Sequence, residues 1–585
     1  MGFIEFLRPV CKICEVRWSM ARTVAIGLQS FEKIRENDYF YIDKTNFIKE
    51  WWESGDDVTL ITRPRRFGKT LNMDTLNCFF SNKYAGRSDL FKGLSIWEEE
   101  KYRKLQGTYP VIFVSLAEVK CKNFEDAKVQ LFEIFENEYS KHSYLPENHY
   151  LSGIINRRES LKKEGKTYTV STNELVGVMY QLSKYMYEQY GKKVIILLDE
   201  YDTPMQEAWL NGYWDDIADL FRQMFGKSFK GNDYLYRAVL TGITRISKES
   251  IFSDLNHMEV VTISSESYAA SFGFTQKEVS DALDEYGLAD QKHAVKEWYD
   301  GFAFGRYTDI YNPWSIIKFL KSGELASYWV NTSSNGLVNS LMRKGDAETK
   351  MIMEDLIRGK FFKAKIDEQI VFNELDGNSD AVWSLLLASG YLKVMNIEVL
   401  ETETDRIKLY TLNCTNKETR FMFSRMVSEW FKTKDRSYNY FIKSLLANDV
   451  EGMNEFMNNI ALDLFSSFDT GKQPSKTEPE RFYHGFVLGL MVDLSDRYVL
   501  TSNRESGFGR YDIMLEPQNK GDNAYIIEFK VHKPKKEPTL EDTVAAALAQ
   551  IEEKKYDTFL LKKGVPLDKI YKYGFAFEGK TVLIG

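Results

Sequence analysis

Long apolar runs are missing from this chain. No stretch approaches the ~20 consecutive apolar residues that a membrane-spanning helix requires, and the mean hydropathy is −0.39. Cysteine is also scarce, with five among 585 residues, too few for a disulfide framework in a chain of this length. We therefore expect a soluble protein of the reducing cytoplasm with no membrane partner.

Excess positive charge is absent as well. The net charge of −8 and the pI near 5.6 argue against a protein that coats nucleic acid through bulk charge. Basic clusters occur only locally, at 63–66 and 530–536, so we expect any nucleic-acid contact to be local. A hydrophobic content of 43% in 585 residues is enough to fill several cores, and we expect three or four domains.

The N-terminal segment lacks the pattern of a signal peptide. Residues 1–19 hold only short apolar patches, which charged residues and Pro9 interrupt. Cys11 and Cys14 have the spacing of half a zinc site, but the sequence offers no second pair of ligands at usable spacing. We expect residues 1–22 to be an upstream extension without a functional element.

Two strand-like segments near the C-terminus carry acidic residues where a buried strand would normally carry valine. Asp512 lies in GRYDIML, and Glu528 and Lys530 lie in AYIIEFKV, where period-two alternation puts them on one face. If the two strands pair as a hairpin, two carboxylates converge beside an ammonium group. Carboxylate oxygens are the ligands that Mg²⁺ prefers, with Mn²⁺ as an alternative, so the pattern predicts metal-dependent phosphodiester hydrolysis.

A phosphate-binding loop is predicted near the other end of the chain. The β-branched strand VTLIT runs into RPRRFGKT and then into a helix, as in a Walker A motif whose backbone N–H groups surround phosphates. Lys69 is expected to reach the β and γ phosphates of ATP, and the Thr70 hydroxyl to bind Mg²⁺. Arg63 stands where the motif has its first glycine. The expected nucleotide-binding residues are Arg63, Pro64, Arg65, Arg66, Phe67, Gly68, Lys69 and Thr70.

An uninterrupted apolar run, VIILL, ends in Asp199 and Glu200. Such a run is typical of a central parallel strand that is buried on both faces. Asp199 is expected to hold Mg²⁺ through water, and Glu200 to polarise the attacking water. The sequence therefore predicts an ATP-hydrolysing site.

Five strand-like segments alternate with helical ones and predict a doubly wound parallel sheet. Thr241 and Thr244 follow the fourth segment, where a polar side chain senses the γ-phosphate. Arg245 is a candidate arginine finger, in cis or across the subunit boundary of a homo-oligomer. The segments are 58–62, 111–115, 194–198, 236–241 and 260–264.

Taken together, these motifs resemble bacterial proteins that pair an AAA-ATPase-like N-terminal domain with a C-terminal PD-(D/E)XK nuclease domain. The resemblance implies ATP binding and a restriction-endonuclease-like α/β fold. It also implies accessory roles for Glu480, on a helix before the hairpin, and for Gln550, on a helix after it. Tyr511 replaces the proline of the nuclease motif. Further landmarks are YIDKT, LLDEYDTP, LTGITRISKESIFS, YDGF and YNPW.

The expected organisation follows from the same landmarks. An α/β ATPase domain spans 23–272, a helical lid 273–334, a mainly helical connector 335–470 and the nuclease domain 471–585. A winged-helix element is one alternative for the connector. Capping signals begin the lid helices, with Thr275 and Glu278 at one helix and Asn312 before Pro313 at another.

Three functions are compatible with these expectations. The first is an ATP-controlled, Mg²⁺-dependent nuclease that acts on DNA or RNA. The second is a nucleotide switch that binds nucleic acid or a protein partner without cleavage. The third is a nuclease with a degenerate ATPase domain. Lys69 and Glu200 speak against the third, and the presence of Asp512, Glu528 and Lys530 favours the first.

Overall fold

The structure is a computed structural model that describes most of residues 21–585. Most of the expected extension, the expected accessory residue Glu480 and the expected boundary near 469–475 lie outside the described residues. The residues within 21–585 that are not described are 148, 166–167, 246–251, 253–256, 330–335, 345–346, 358, 368–374, 376–377, 402–405, 431–438, 459–486, 488–490, 492–493, 495–496, 507–508, 520 and 579–580.

The chain forms two compact units. The first comprises the residues up to 338 together with 363–418, and the second comprises 339–362 together with 419–585. Each unit contains one five-stranded sheet. The ATPase-like motifs therefore fall in the first unit and the nuclease-like motifs in the second.

The central sheet of the first unit is entirely parallel. Its order is β2-β3-β4-β1-β5, so that β1, the strand before the predicted phosphate loop, pairs with both β4 and β5. Every residue of β1 and β3 is buried, as expected for strands covered on both faces. The predicted parallel sheet is confirmed. The strands are β1 (Val58–Thr62), β2 (Val111–Ser115), β3 (Val194–Asp199), β4 (Leu235–Gly242) and β5 (Met258–Val261).

Helices precede β1 and occupy the connections from β1 to β2, from β2 to β3 and from β3 to β4. Their amphipathic patterns bury one face, and α10 places Ile217, Leu220, Phe221 and Met224 in the core. The helices are α1 (Phe31–Glu36), α2 (Asn46–Ser54), α3 (Lys69–Phe80), α4 (Glu100–Arg103), α5 (Phe124–Ser140), α6 (Ser152–Lys163), α7 (Thr172–Val176), α8 (Val178–Tyr190), α9 (Thr203–Asn211) and α10 (Trp214–Phe229).

The segment after β5 combines helices with a small sheet. The predicted caps are present, since Thr275 and Glu278 form a capping box and the Asn312 side chain accepts from Trp314 and Ser315 N–H groups. Three short strands pair in the order β6-β8-β7, which the prediction of a purely helical lid missed. The elements are β6 (Phe274–Thr275), α11 (Gln276–Glu285), α12 (Lys292–Tyr299), β7 (Phe302–Phe304), β8 (Tyr307–Tyr311) and α13 (Pro313–Ser322).

The region expected to be a helical connector also contains a three-stranded sheet. Its strands follow the order β10-β11-β9, and β10 and β11 form a long antiparallel hairpin. The outer half of β10 is exposed, including the apolar side chains of Met395, Ile397, Val399 and Leu400. The elements are α14 (Gly336–Lys344), α15 (Ala347–Ile357), β9 (Phe362–Lys365), α16 (Ser379–Ala388), β10 (Leu392–Glu401), β11 (Arg406–Cys414), α17 (Lys417–Trp430) and α18 (Asn439–Leu446).

The sheet of the second unit is mixed. Its order is β12-β13-β14-β15-β16, with β14 and β15 parallel and the other pairs antiparallel. Helix α19 packs on β14 and β15, where Ile526 and Ile551 belong to one buried cluster. The elements are β12 (Tyr498–Ser506), β13 (Gly509–Pro517), β14 (Ala524–Val531), α19 (Leu540–Glu553), α20 (Thr558–Lys562), β15 (Ile570–Glu578) and β16 (Thr581–Ile584).

Candidate nucleotide and nuclease sites

The predicted phosphate-binding loop connects β1 to α3. Gly68 precedes the helix with a φ of +83°, in the left-handed region that glycine adopts without steric cost. A Cβ atom at Gly68 would meet nothing within 4 Å. The backbone turn, rather than crowding, therefore requires glycine here, and it presents the N-terminus of α3 to an anion.

Five expected residues of the ATPase site lie together. The Thr70 hydroxyl donates to Asp199 Oδ2 at 2.7 Å, and the Thr241 hydroxyl donates to Asp199 Oδ1. Lys69 Nζ lies 3.4 Å from Glu200 Oε1. Asp199 is completely buried. Burial, followed by the nearby Glu200 carboxylate, raises the pKa of Asp199 to about 6.

Glu200 adopts an unusual backbone conformation directly after β3. Its φ is +54°, in the left-handed region that non-glycine residues seldom occupy. Such a conformation is costly and persists where the surroundings enforce it, which is frequent at functional sites. The turn brings the Glu200 carboxylate to the Lys69 ammonium, where it also faces the cavity described below.

The Arg63 side chain is packed inside the protein and does not face the predicted phosphate site. Its side chain is completely buried and donates to the carbonyl oxygens of Thr62 and Thr262 at 2.8 and 2.7 Å. The guanidinium also lies 4.6 Å from the centre of the Phe304 ring. Burial lowers the pKa of Arg63 to about 9. The residue that replaces the first glycine of the motif thus fastens the loop to the strand ends.

A cavity of about 390 Å³ opens at this loop. Its lining includes residues 65–70, Ala25, Gly27, Tyr39–Ile42 and Trp314. Arg63, Pro64, Asp199, Thr241, Thr244 and Arg245, all predicted to contact nucleotide or its metal, are absent from this lining. The residues present fit Mg²⁺ and a nucleotide phosphate, because the Thr70 hydroxyl, the Lys69 ammonium and a helix N-terminus lie at the cavity and the Asp199 carboxylate bonds to that hydroxyl.

Thr241 and Thr244 have different partners. Thr241 bonds to Asp199, whereas the Thr244 hydroxyl and N–H both donate to Asp202 Oδ2 at 2.9 Å. Asp202 is completely buried and also accepts from Gln206 Nε2 at 3.1 Å. Burial raises the pKa of Asp202. Asp202 was not among the predicted residues, although a third acidic residue directly after Asp199-Glu200-Tyr201 is a visible signal.

The expected nuclease residues meet across β13 and β14. The antiparallel register pairs Ile513 with Ile527 and Met514 with Ile526, so one further pair sets Asp512 opposite Glu528. Asp512 Oδ2 accepts from the Phe529 N–H at 2.8 Å. The predicted hairpin is confirmed. It places both carboxylates at the same point of the sheet.

Gln550 of α19 joins the remaining polar groups of this site. Its Oε1 accepts from Lys530 Nζ at 2.7 Å, and its Nε2 donates to Glu528 Oε1. The same Nε2 donates to the Tyr556 hydroxyl at 3.2 Å. One amide therefore fixes the relative positions of the carboxylate, the ammonium and a phenol.

Tyr556 is a member of the site that the sequence analysis did not single out. It is almost fully buried. Burial raises its pKa most, and the Glu528 and Asp512 carboxylates raise it further. Tyr556 lies six residues after Gln550, just beyond the end of α19. This short separation in the sequence is the signal that could have identified it.

The nuclease-like site fits a divalent cation through two carboxylates. Asp512 and Glu528 supply hard oxygen ligands, and Glu528 is only 4% exposed. Among the described residues, no group of three or more His, Cys, Asp or Glu side chains forms a metal cluster. Glu480, the expected third carboxylate, lies outside the described residues.

Two family models match the parts of the chain that contain these two sites. A family model described as a predicted AAA-ATPase matches residues 25–252, and a PD-(D/E)XK nuclease superfamily model matches residues 478–585. This chain joins an AAA-ATPase-like domain to a PD-(D/E)XK nuclease superfamily domain. The AAA-ATPase-like match contains Lys69, Asp199 and Glu200, and the nuclease match contains Asp512 and Glu528.

One relative has a comparable length. An uncharacterized protein in the vnfD 5'region of Azotobacter chroococcum mcd 1 is 24% identical over 555 residues, covering 93% of this chain and 95% of the relative. The AAA-ATPase-like and nuclease domains thus lie in an alignment that spans nearly the whole of both proteins. The name of this relative states no activity.

A solved structure also matches at low similarity. The ORC2 protein of Aeropyrum pernix, solved as ADPNP and ADP complexes, is 9% identical, with a TM-score of 0.22. The match covers 69% of this chain and 97% of that one. At this TM-score the comparison supports no argument about the AAA-ATPase-like domain.

Among the described residues, no helix is both long enough and apolar enough to cross a membrane.

The nuclease domain carries a lysine-rich turn directly after β14. Lys533, Lys535 and Lys536 are exposed, and the Lys536 N–H donates to the Lys533 carbonyl oxygen at 2.8 Å. The acidic residue of the turn, Glu537, accepts a 2.8 Å hydrogen bond from the Thr543 hydroxyl. The turn therefore presents three ammonium groups beyond the end of the strand that carries Glu528.

Proposed function

We propose that this chain is an ATP-hydrolysing protein whose C-terminal domain cleaves DNA or RNA in a reaction that requires Mg²⁺, and that ATP occupancy controls the cleavage. The hydrogen-bond network of Gln550 carries the nuclease part of the proposal. A purely structural sheet has no need to keep Glu528, Lys530 and Gln550 in mutual contact.

The ATPase part rests on the residues around Lys69. Its ammonium donates to the Arg63 and Pro64 carbonyl oxygens, both at 3.2 Å, within the phosphate-binding loop, so positive charge is already located where phosphate oxygens would bind. Mg²⁺ would be held at Thr70 and Asp199, where it neutralises phosphate charge. Glu200 would accept a proton from the attacking water.

The nuclease part assigns one task to each polar group. Asp512 and Glu528 would hold a divalent cation, Mg²⁺ or Mn²⁺, which activates water for attack on phosphorus. Lys530 would neutralise charge that develops on the phosphate. The lysine turn at 533–536 supports a nucleic-acid substrate, because exposed ammonium groups attract a phosphate backbone.

The decisive experiment measures cleavage and ATP hydrolysis together. End-labelled single-stranded and double-stranded DNA and RNA are incubated with purified protein in Mg²⁺, Mn²⁺ or Ca²⁺, with and without ATP. Wild type should cleave at least one substrate in Mg²⁺ or Mn²⁺, and Asp512→Asn should not. Asp568→Asn is the matched control, since Asp568 is an exposed carboxylate of the same domain.

Control by ATP is tested with Glu200→Gln. This variant should bind ATP, fail to hydrolyse it and show altered cleavage, although Glu200 lies in the other domain. Cleavage that persists in Asp512→Asn would reject the nuclease assignment. Unaltered cleavage in Glu200→Gln would reject control by hydrolysis while leaving the nuclease assignment standing.

A further inference from the structure

Two side chains beyond the AAA-ATPase-like match bond to the backbone of the phosphate-binding loop. The carbonyl oxygen of Arg65 accepts from Trp329 Nε1 at 3.0 Å and from Asn312 Nδ2 at 3.3 Å. The family match ends at residue 252, so both donors belong to the segment that follows it. The loop that binds phosphate is thus held by groups outside the ATPase core.

Close packing against Pro64, the loop residue before Arg65, also supports contact between the later segment of the chain and the loop. A Cβ atom at Gly390 would lie 2.9 Å from Pro64 Cγ, closer than such atoms normally approach. Gly390 also has a φ of +82°, which favours glycine on conformational grounds. The segment between α16 and β10 therefore packs directly against the loop.

Trp329 is held in one orientation by its neighbours. It is 1% exposed, and its ring centre lies 5.5 Å from that of Phe302 and 5.2 Å from that of Tyr391. Rings packed in this way lose rotational freedom, so the indole N–H has a fixed direction. The hydrogen bond from this N–H to the Arg65 carbonyl oxygen therefore restricts the conformation of the loop.

Glu418 fixes the backbone of Trp329. Its carboxylate accepts from the Trp329 N–H at 2.6 Å and from the Ser315 hydroxyl at 2.9 Å. Glu418 is completely buried, lies in the first turn of α17 and is the last residue of the first unit. Removing a charge-assisted bond at such a site is costly, because the donors would remain buried without an equivalent acceptor.

We propose that Trp329 is a positioning residue for the phosphate-binding loop and that Glu418 sets its position. This inference rests on nucleotide binding at that loop, which is part of the proposed function. A nucleotide that favours one loop conformation then favours one arrangement of Trp329 and Glu418. By linkage, a change at Glu418 must alter nucleotide affinity, although Glu418 does not line the cavity.

The chain supplies a matched control for the indole hydrogen bond. Trp329→Phe removes the N–H and part of the ring, and Trp51→Phe makes the same chemical change. Trp51 is completely buried in the same unit, and its Nε1 has no hydrogen-bond partner among the described residues. A difference between the two variants therefore reports the bond to Arg65 rather than the loss of ring volume.

The first measurement is ADP affinity by calorimetry, with the unfolding midpoint as a stability control. Trp329→Phe should weaken ADP binding about tenfold and Glu418→Gln about threefold, whereas Trp51→Phe should change it less than twofold. In ATP hydrolysis, KM should rise more than kcat falls. Affinities for Trp329→Phe and Glu418→Gln within twofold of Trp51→Phe would overturn the proposal.

A spectroscopic measurement reports the bond directly. In protein labelled with ¹⁵N at its eleven tryptophans, the indole resonance lost in Trp329→Phe should move when ADP is added, and the one lost in Trp51→Phe should stay. A stationary Trp329 resonance in protein that binds ADP would overturn the proposal. If Trp329→Phe does not fold, the affinity of Glu418→Gln decides.

Failure of this inference is distinct from failure of the proposed function. If wild type and Lys69→Ala bind ADP equally, the nucleotide site itself is wrong and the positioning role falls with it. If only Lys69→Ala loses affinity, the nucleotide site stands and the role of Trp329 is rejected.

Discussion

Lys530 Nζ lies 2.7 Å from the side-chain oxygen of Gln550, and the amide nitrogen of the same Gln550 donates to Glu528. One amide therefore contacts both the lysine and the carboxylate two residues before it. The amide orients the Lys530 ammonium and the Glu528 carboxylate at the site. The predictions for the nuclease domain depend on this arrangement.

Replacing the three charged residues of the nuclease site should abolish cleavage. Asp512→Asn and Glu528→Gln remove metal ligands, and Lys530→Ala removes the neighbouring cation, so each rate should fall at least ~100-fold. Cleavage of the labelled substrate in Mg²⁺ measures the effect, and ATP hydrolysis without nucleic acid should be unchanged. Lys554→Ala, at a partly exposed lysine of the same domain, should cleave normally. Equal loss in that control would point to a general effect on folding.

Changes at Gln550 and Tyr556 should be milder and graded. Gln550→Ala removes three hydrogen bonds, two of them to charged groups. We expect cleavage to fall at least about tenfold, since a hydrogen bond to a charged group contributes about 1.5–3 kcal/mol. Tyr556→Phe removes one hydroxyl and should lower cleavage about threefold. The Mg²⁺ concentration for half-maximal rate should rise in both variants. An unchanged Mg²⁺ dependence in Gln550→Ala would show that the amide does not position the carboxylate.

Lys69→Ala should remove most of the ATP affinity without unfolding the domain. The ammonium lines the cavity and contributes charge-assisted bonds worth about 1.5–3 kcal/mol, which corresponds to about a 10- to 100-fold loss of affinity. Calorimetric titration with ATP measures it. Lys162→Ala, at an exposed lysine of α6, should bind ATP as wild type does, and equal affinities for all three proteins would contradict the site.

The buried Asp199 should give the stability a pH dependence with a defined sign. Its folded pKa of about 6 lies above the ordinary value of 3.8, so the folded state binds the proton more tightly than the unfolded state. Without metal, this group's contribution to the free energy of unfolding should therefore decrease as pH rises from about 4 to about 6. Denaturant unfolding of wild type and Asp199→Asn at several pH values measures the difference. A wild-type stability that rises relative to Asp199→Asn over that interval would contradict the predicted sign.

Two glycines of the ATPase-like unit should respond oppositely to alanine. At Gly242 a Cβ atom would lie 2.6 Å from Tyr201 Cε1 and 2.7 Å from Asp202 Oδ1, so Gly242→Ala should destabilise by about 1–3 kcal/mol. At Gly226, within α10, a Cβ atom would meet nothing within 4 Å, so Gly226→Ala should stabilise by up to about 1 kcal/mol. Thermal unfolding compares them. A neutral Gly242→Ala would show that the Asp202 loop can shift without cost.

Local sequence patterns determined much of this protein. Apolar runs and β-branched residues specified the strands β1 and β3, because a strand buried on both faces is largely apolar. Period-two alternation placed Glu528 and Lys530 on one face of β14, and the order of motifs indicated the two domain families. These properties depend on neighbouring residues, which the chain order already contains.

Tertiary structure decided which distant groups meet. Arg63 lies in a recognisable motif, yet its side chain bonds to Thr262 instead of lining the cavity, because the carbonyl oxygens of the strand ends surround it. Asp202 bonds to Thr244, and Trp329 to Arg65, across 42 and 264 positions of the chain. Such contacts depend on how the sheet, the loop and the helices pack, and packing depends on the whole set of buried side chains rather than on any short pattern.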